Sequence, residues 1–405
     1  MESELGLPAF YEKSSVSSIY RFWLVVFAGV ALFVGCADGQ EQGSSTPLNL
    51  GDLNQTPALQ PQLSKCASTD SIYSGNFTIE SDADLEMLRA YCEIDGDLVV
   101  SSVEVNSLEL PSLRVIKGSW LVSSNPKLEA VFLPSLLRVE GALKFQSNPE
   151  LVELALSSLE FVASEFEISE NPNLESVGLS SLVECGGDFT LLNSTALNEL
   201  SLPVMGTAGG TLRISGLNPA LDRVAIPNLS SIAGSLILGK NGSLSSLEAF
   251  ALSSVGLSVM VSFNQNLAFL DFPSLTLVGE DIHLRENTGL SGLSAPSLRT
   301  VIGELWLEGN QQITELSLPE LIRLGGGLRV MSNPWLRSLF TPELIEFEGD
   351  IDISGNGSLA ACLVDALISQ LEDSLGGDQE VWLYDNLEDC GCVEKGGFWE
   401  ADCFP

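Results

Sequence analysis

The sequence is poor in histidine and in basic residues. It contains one histidine, His283, and 18 lysines and arginines against 54 aspartates and glutamates, so its formal net charge is −36. A single histidine excludes most catalytic mechanisms that depend on this side chain. An acidic surface repels the phosphates of nucleic acids, and we therefore expect no nucleic-acid partner.

Sequence motifs for a cofactor or a metal ion are also lacking. The glycines at 325–327 are not followed by the Gly-Lys-Ser/Thr of a phosphate-binding loop. Residues 350–361 begin like a calcium-binding loop, but Ala361 stands where that loop requires a glutamate. We expect no cofactor and no metal ion.

Long apolar runs are scarce, and one of them lies near the N-terminus. Residues 22–34 are apolar, but this run is too short for a comfortable membrane span. Gly35 and Cys36 follow it, and a small residue before a cysteine at this place resembles the lipobox of bacterial lipoproteins. We predict that residues 1–36 are a lipoprotein signal peptide ending at Cys36, which is then lipidated. An ordinary cleaved signal peptide and an uncleaved anchor are the alternatives.

Residues 37–65 contain few large apolar side chains. Such a stretch cannot offset its ordering entropy by burial, and we predict a disordered tether. Behind a lipidated cysteine, a tether would hold a folded module away from the bilayer. We therefore expect an exported protein that is lipid-anchored at the cell envelope, at a bacterial outer membrane or cell surface.

The dominant feature of the chain is an asparagine that recurs every 23 residues. The step from Asn171 to Asn241 is the exception, because it spans 70 residues, which is three periods plus one residue. A fixed period of this length indicates a solenoid. The recurring asparagines are Asn125, Asn148, Asn171, Asn241, Asn264, Asn287, Asn310, Asn333 and Asn356.

Each period alternates apolar and other residues over short stretches, which Asn, Pro, Ser or Gly then interrupt. Alternation is typical of strands, and the interruptions are typical of corners. We predict an all-β solenoid, a parallel β-helix of roughly 12 turns with three short strands per turn. Residues 66–117 would form an N-terminal cap with the first degenerate turns, residues 118–362 the repeat array, and residues 363–405 a C-terminal cap.

We interpret the asparagines as structural. At a corner, asparagine tolerates left-handed backbone and bonds nearby main-chain groups, and stacked amides can bond one another. Ser194 occupies the asparagine position of one turn, with Asn193 one place early, and Asn218 comes one place late in the next turn. We expect the stack to break at both turns.

The end of the chain changes its pattern. Leu363, Leu367 and Leu371 have helical spacing and predict an amphipathic helix that covers the last turn. The tail beyond it contains three cysteines and completes the predicted cap.

Cys185 falls at the repeat position held elsewhere by Val139, Val162 and Val301, so we predict a buried free thiol. The other cysteines outside the signal peptide are candidates for disulfides, which an exported protein favours over a four-cysteine metal site near the C-terminus. The pairs that we consider are Cys66 with Cys92, Cys362 with Cys390, and Cys392 with Cys403.

Several phrases of the array resemble a known family. Residues 133–151 read Leu-Pro-Ser-Leu-Leu-Arg-Val-Glu-Gly-Ala-Leu-Lys-Phe-Gln-Ser-Asn-Pro-Glu-Leu, and residues 318–324 and 327–336 repeat parts of this phrase. They resemble the receptor L domain, which is found in insulin- and epidermal-growth-factor-receptor ectodomains and in related surface proteins. The resemblance covers about residues 75–362. It implies a right-handed β-helix with leucine-rich-repeat character and a non-catalytic binding role.

A candidate binding face lies on the strand before each asparagine. His283, Trp306 and Met331 take outward positions on neighbouring turns, flanked by the charges of Arg285 and Arg329. An exposed aromatic ring among charges on a solenoid face is a signal of a binding patch. The alternative is a surface tryptophan without a partner.

The function that we predict is that of a non-catalytic cell-surface lipoprotein whose solenoid binds an extracellular protein or glycan. A structural envelope protein without a specific ligand is the alternative. A polysaccharide-cleaving enzyme is disfavoured, because such a site needs clustered carboxylates with basic partners, and we expect no such cluster among the outward positions.

Overall fold

The computed structural model describes residues 71–372, 374–375 and 379–387, all within the compact unit Ser64–Pro405. The predicted signal peptide and tether lie outside the described residues. So do five of the predicted site residues, which are Cys36, Cys66, Cys390, Cys392 and Cys403.

The chain forms a coil whose successive turns pair as parallel strands. Each turn contributes one strand to sheet 1, one to sheet 2 and, in most turns, one to a third face that is divided into sheets 3, 4 and 5. The predicted all-β parallel solenoid of roughly 12 turns, with three short strands per turn, is confirmed.

Sheets 1 and 2 run along the whole described array. Sheet 1 has thirteen strands, which are Ile72–Ser74, Glu93–Asp95, Val115–Ile116, Arg138–Val139, Phe161–Val162, Glu184–Cys185, Thr207–Ala208, Ser231–Ile232, Ser254–Val255, Leu277–Val278, Thr300–Val301, Arg323–Leu324 and Glu346–Phe347. Sheet 2 has fourteen strands, which are Phe77–Ile79, Leu98–Ser101, Trp120–Ser123, Leu143–Gln146, Phe166–Ser169, Phe189–Leu192, Leu212–Ser215, Leu236–Gly239, Val259–Ser262, Ile282–Arg285, Leu305–Glu308, Leu328–Met331, Ile351–Ser354 and Val381–Tyr384.

The third face consists of three shorter sheets. Sheet 3 contains Ser107–Glu109, Ala130–Phe132, Glu153–Ala155 and Ser176–Gly178. Sheet 4 contains Glu199–Ser201, Arg223–Ala225 and Ser246–Glu248. Sheet 5 contains Phe269–Asp271, Gly292–Ser294, Glu315–Ser317 and Ser338–Phe340.

The alternation of each strand sends one set of side chains into the core. In Leu305–Glu308, Leu305 and Leu307 are buried, and the register stacks Leu305 between Ile282 and Leu328 of the neighbouring turns. Burial of one such side chain contributes about 1.5–3 kcal/mol. The 23-residue step repeats this stack in every turn, so the core is one continuous column of aliphatic and aromatic residues.

Successive turns approach each other closely at the corners between sheets 1 and 2. A Cβ atom added at Gly279 would collide with the carbonyl oxygen of Gly256, one turn earlier. Glycine therefore permits the close stacking of turns at this corner.

Two helices flank the array. Helix α1, Asp82–Leu88, belongs to the first turn, and the Ser81 hydroxyl caps it by accepting from the Asp84 N–H. The repeat pattern of this first degenerate turn would place Asp82 at an asparagine position, but Asp82 is exposed and outside the ladder, because Ser81 and the acidic first turn begin a helix there.

Helix α2, Ala361–Leu371, confirms the predicted C-terminal helix. Its buried face is formed by Val364, Leu367 and Leu371, and Leu363 is partly buried beside them. Among the described residues, no helix has the length and apolar character needed to cross a bilayer.

Sheet 2 continues beyond α2. The strand Val381–Tyr384 returns to sheet 2 and pairs with Ile351–Ser354, so it adds one more rung beyond the helix. We did not predict this strand.

Candidate binding face

The nine recurring asparagines form one buried ladder with a single gap. Each of them is fully buried. In a regular turn, the Asn264 N–H donates to Oδ1 of Asn287 at 3.1 Å, and Nδ2 of Asn264 donates to the Leu238 carbonyl at 3.1 Å and to the same Oδ1 at 3.2 Å. The side chains thus satisfy buried corner groups that water cannot reach.

The gap in the ladder lies at Ser194 alone. The expected break at Asn218 is wrong, because Oδ1 of Asn218 accepts from the Ser194 N–H at 2.9 Å and Nδ2 of Asn218 donates to Asn241 at 2.9 Å. The extra residue of the 70-residue step is absorbed before Asn218, where Gly216 has φ +86° and Leu217 is exposed. Asn218 is therefore a ladder residue.

The left-handed backbone at these corners belongs to the residue before the asparagine. Lys240, Phe263 and Glu286 have φ values of 60°, 57° and 55°. Our expectation that the asparagine itself is left-handed is therefore wrong. Asn193, with φ 51°, fills this preceding position and also accepts from the Leu217 N–H at 2.9 Å. A short amide side chain tolerates this geometry.

The ladder extends one step further than we predicted. Oδ1 of Asn386 accepts from the Asn356 N–H at 3.2 Å, and its Nδ2 donates to the Ile353 carbonyl at 2.6 Å. The signal in the sequence is the spacing of Val381, Leu383 and Asn386, which repeats that of 351, 353 and 356.

The predicted binding residues lie on the outer surface of sheet 2. The register aligns His283, Trp306 and Arg329 in one row, whereas Met331 aligns with Glu308 and Arg285 in a second row. All five predicted residues therefore share one face, but Met331 does not stack directly on Trp306. We call His283, Arg285, Trp306 and Arg329, together with Glu304 and Glu308, the Trp306 cluster.

The Trp306 ring lies between two guanidinium groups. Cζ of Arg285 is 4.2 Å from the ring centroid, Cζ of Arg329 is 5.1 Å away, and the His283 ring meets it edge to face at 5.3 Å. Trp306 is consequently half-buried, so the prediction of an exposed tryptophan is wrong: long side chains from the adjacent turns cover it. Its Nε1–H is buried, and no described residue accepts from it.

Carboxylates hold His283 and both arginines of the cluster in place. Glu304 accepts from Nε2 of His283 at 2.9 Å and lies 3.3 Å from Nε of Arg329. Glu308 accepts from Nε of Arg285 at 2.7 Å. Our expectation that no acid–base cluster projects from this face is therefore wrong. Glu304 contacts His283 and Arg329, which are 21 and 25 residues away in the sequence. A comparison of residues exactly 23 positions apart therefore does not pair them.

A second ion cluster lies on the same face, towards the N-terminus. Lys144 contacts Glu165 and lies 3.3 Å from Glu167, and hydrogen bonding to Glu165 raises the pKa of Lys144. Burial acts to raise the pKa of Glu167, but hydrogen bonds from Ser169, Gln146 and Lys144 outweigh it and lower that pKa.

The described cysteines differ in state. Cys185 is a free thiol in the core, and burial raises its pKa to about 11. Cys92 and Cys362 are disulfide-bonded, and the choice of partner for each stays a prediction. The described residues contain no group of three or more His, Cys, Asp or Glu side chains arranged to hold a metal ion.

No protein-family model matches the chain. No curated protein matches it either. Among solved structures, it is similar to a "Crystal structure of TLR13-ssRNA13 complex", with 13% identity, a TM-score of 0.14, and coverage of 75% of this chain and 76% of that one. A similarity at this TM-score supports no conclusion. The parallel coil and its period are themselves compatible with a leucine-rich-repeat-like fold.

Proposed function

We propose that the protein is a non-catalytic lipoprotein of the cell surface whose solenoid, of the receptor-L-domain type, binds an extracellular protein or glycan through the outer face of sheet 2. The observation that carries the proposal is the Trp306 ring held between Arg285 and Arg329. Tryptophan and arginine are the residues most often dominant in binding interfaces.

The ion pairs of the Trp306 cluster support a binding role. Arg285 is tied to Glu308 and Arg329 to Glu304, so both guanidinium groups are oriented before a partner arrives. Side chains that are already ordered lose less conformational entropy on binding.

A second function has an observation in its favour. Glu304 and Glu308 with their basic partners resemble in composition the carboxylate sites of polysaccharide-cleaving enzymes. Release of reducing ends from a polysaccharide panel would support this enzyme function, provided that Glu304→Gln abolishes the release. If the protein neither binds a ligand nor cleaves a polysaccharide in these screens, the remaining proposal is a structural role in the envelope.

The test of the binding role uses the full chain in a screen against glycans and surface proteins, followed by Trp306→Ala. Loss of the ring should weaken binding by about 2 kcal/mol or more. The control is Leu121→Ala, which removes an outward side chain of sheet 2 far along the array from the Trp306 cluster and should leave affinity unchanged. Leu305→Ala reports on the fold instead, because loss of this buried side chain should destabilise the coil by about 2–5 kcal/mol. Unchanged affinity in Trp306→Ala would contradict the proposal.

The location at the membrane has its own test. Cys36→Ala should leave an unprocessed precursor, and the natural chain should incorporate labelled palmitate. Absence of both effects would remove the lipid anchor from the proposal and leave the binding face untouched.

A further inference from the structure

The outer surface of sheet 5 carries a groove that is separate from the Trp306 cluster. It has a volume of about 330 Å³, at the small end of the range for ligand sites. Its floor is the strand Gly292–Ser294, and its walls come from the strands on either side. The residues that line it include Phe269, Ser294, Thr314, Glu315 and Ser317.

An aromatic ring and a missing side chain shape this groove. The register places Phe269, Gly292 and Glu315 in one outward row. The Phe269 ring leans over Gly292, where an added Cβ would lie 2.7 Å from Cε2 of the ring. Phe269 nevertheless stays 48% exposed, so part of the ring is open to solvent as a flat apolar surface.

Several polar side chains of the groove are not engaged within the protein, whereas the Ser291 hydroxyl donates to the Ala268 carbonyl at 2.7 Å. Among the described residues, the side chains of Ser294, Thr314, Glu315 and Ser317 make no hydrogen bond and no ion pair. The same row of the neighbouring sheet 4 is different, because there Glu199 pairs with Arg223 at 3.0 Å. The groove therefore combines an open aromatic ring with hydroxyls and a carboxylate that can still bond a ligand.

We infer that this groove binds one unit of a neutral saccharide, stacked on Phe269 and hydrogen-bonded by Glu315 and the hydroxyls. The face of an aromatic ring carries partial negative charge and attracts the weakly positive C–H groups of a sugar ring. An unpaired carboxylate is a strong acceptor for sugar hydroxyls.

Electrostatics favours a neutral ligand over an anionic one. Among the described residues, no lysine or arginine lines the groove and Glu315 has no ion pair, and the whole sequence carries a net charge of −36. An acidic sugar, a phosphate or a sulfate would be repelled. An organic cation could also meet a ring and a carboxylate, and the experiment must separate this ligand class from a saccharide.

The experiment is titration calorimetry of the full chain with maltose, cellobiose and lactose, with tetramethylammonium chloride as the cationic probe. At least one disaccharide should bind saturably. Phe269→Ala should weaken that binding about tenfold, which corresponds to 1.4 kcal/mol. Gly292→Val should abolish it, because the new side chain displaces the ring. The backbone at Gly292 does not have a positive φ and accepts valine.

Three controls make the result specific. Phe250→Ala removes a phenylalanine of similar exposure, 46%, that does not line the groove, and it should leave binding unchanged. Glu315→Gln should weaken saccharide binding modestly, since an amide oxygen still accepts, whereas it should abolish binding of a cation. Trp306→Ala should have no effect, because that residue lies on sheet 2.

Saturable binding only by tetramethylammonium, or by no probe, would overturn the inference. So would disaccharide binding that is lost in Trp306→Ala and retained in Phe269→Ala, because the sugar would then occupy the proposed face of sheet 2. The inference does not depend on the proposed function, since either site can fail while the other binds.

Discussion

Two parts of the asparagine ladder differ in a single residue type. From Asn241 to Asn356, each asparagine N–H donates to the side-chain oxygen one turn further on, at 3.0–3.2 Å. At Asn171 the next position is Ser194, and the Asn171 N–H has no acceptor among the described residues. The coil nevertheless continues through this gap with its strands in register.

The difference separates two roles of a corner. The left-handed residue that turns the chain is present in both parts, as Asn193 before Ser194 and as Phe263 before Asn264. What is lost at Ser194 is the hydrogen bond that the Asn171 N–H would donate to the next turn, whereas the Ser194 N–H still donates to Asn218. The turn of the chain therefore depends on the left-handed residue before the ladder position and on the core. The asparagine adds hydrogen bonds to buried polar groups of the backbone.

The largest effect should come from removing an asparagine in the regular part. Asn264→Ala deprives the Asn241 N–H and the Leu238 carbonyl of their partners. We expect a loss of about 2–6 kcal/mol, since two buried groups are orphaned and each costs about 1–3 kcal/mol. Urea unfolding would measure the loss, and hydrogen exchange at the Asn241 amide would localise it.

The matched control lies in the interrupted part. Ser194→Ala removes a hydroxyl that, among the described residues, makes one hydrogen bond, a long one of 3.5 Å to the Leu192 carbonyl. It should change stability by less than about 0.5 kcal/mol. Equal losses at the two positions would mean that the ladder contributes nothing beyond side-chain packing.

Short-range periodicity made most of the fold predictable. Alternation within each 23-residue unit identifies the strands, and the spacing of Leu363, Leu367 and Leu371 identifies α2. Helix α1 was missed because about two turns of capped helix interrupt a degenerate unit. Asn386 was missed because 30 residues, including α2, separate it from Asn356.

The site was less predictable than the fold. Periodicity places Trp306 on the outer face, but its burial depends on the rotamers of Arg285 and Arg329, one turn away on either side. Arginine side chains are long and can lie along a ring or extend into solvent. The groove beside Phe269 exists because Gly292 has no side chain. The sequence alone does not show this, because the pairing of Gly292 with Phe269 becomes visible only in the strand register.

The pH dependence of stability distinguishes the turn that contains Cys185 from the regular turns. Regular turns have Val255, Val278 or Val301 at this position, and burial raises the pKa of the Cys185 thiol from its ordinary value of 9.0 to about 11. The unfolded chain loses the thiol proton first as pH rises. Stability is therefore unaffected below pH 9 and is lost progressively between pH 9 and 11.

Cys185→Val should remove this loss. Between pH 8 and pH 10 the natural chain should lose about 1.4 kcal/mol relative to the variant, which follows from a shift of two pKa units. Parallel urea unfolding at the two pH values measures the difference, and other titrating groups cancel because both chains share them. A difference that does not change with pH would mean that the thiolate is solvated or paired in the folded state.

The smallest expected effect is a repair of the ladder by Ser194→Asn. The new amide would occupy a position that is asparagine in the turns on either side. Its Oδ1 would accept from the Asn171 N–H, and its Nδ2 would share Oδ1 of Asn218, as Nδ2 of Asn264 shares Oδ1 of Asn287. One recovered buried hydrogen bond should stabilise the coil by about 0.5–1.5 kcal/mol.

Ser194→Asp is the control for this repair. It is similar in size to asparagine and can accept from the Asn171 N–H, but it cannot donate and would bring a charge into a buried site, so it should destabilise the coil. Slower hydrogen exchange at the Asn171 amide in Ser194→Asn would locate the gain at the gap. If Ser194→Asn leaves that exchange rate and the unfolding midpoint unchanged, another group already accepts from the Asn171 N–H. The two parts of the ladder would then be equally stable.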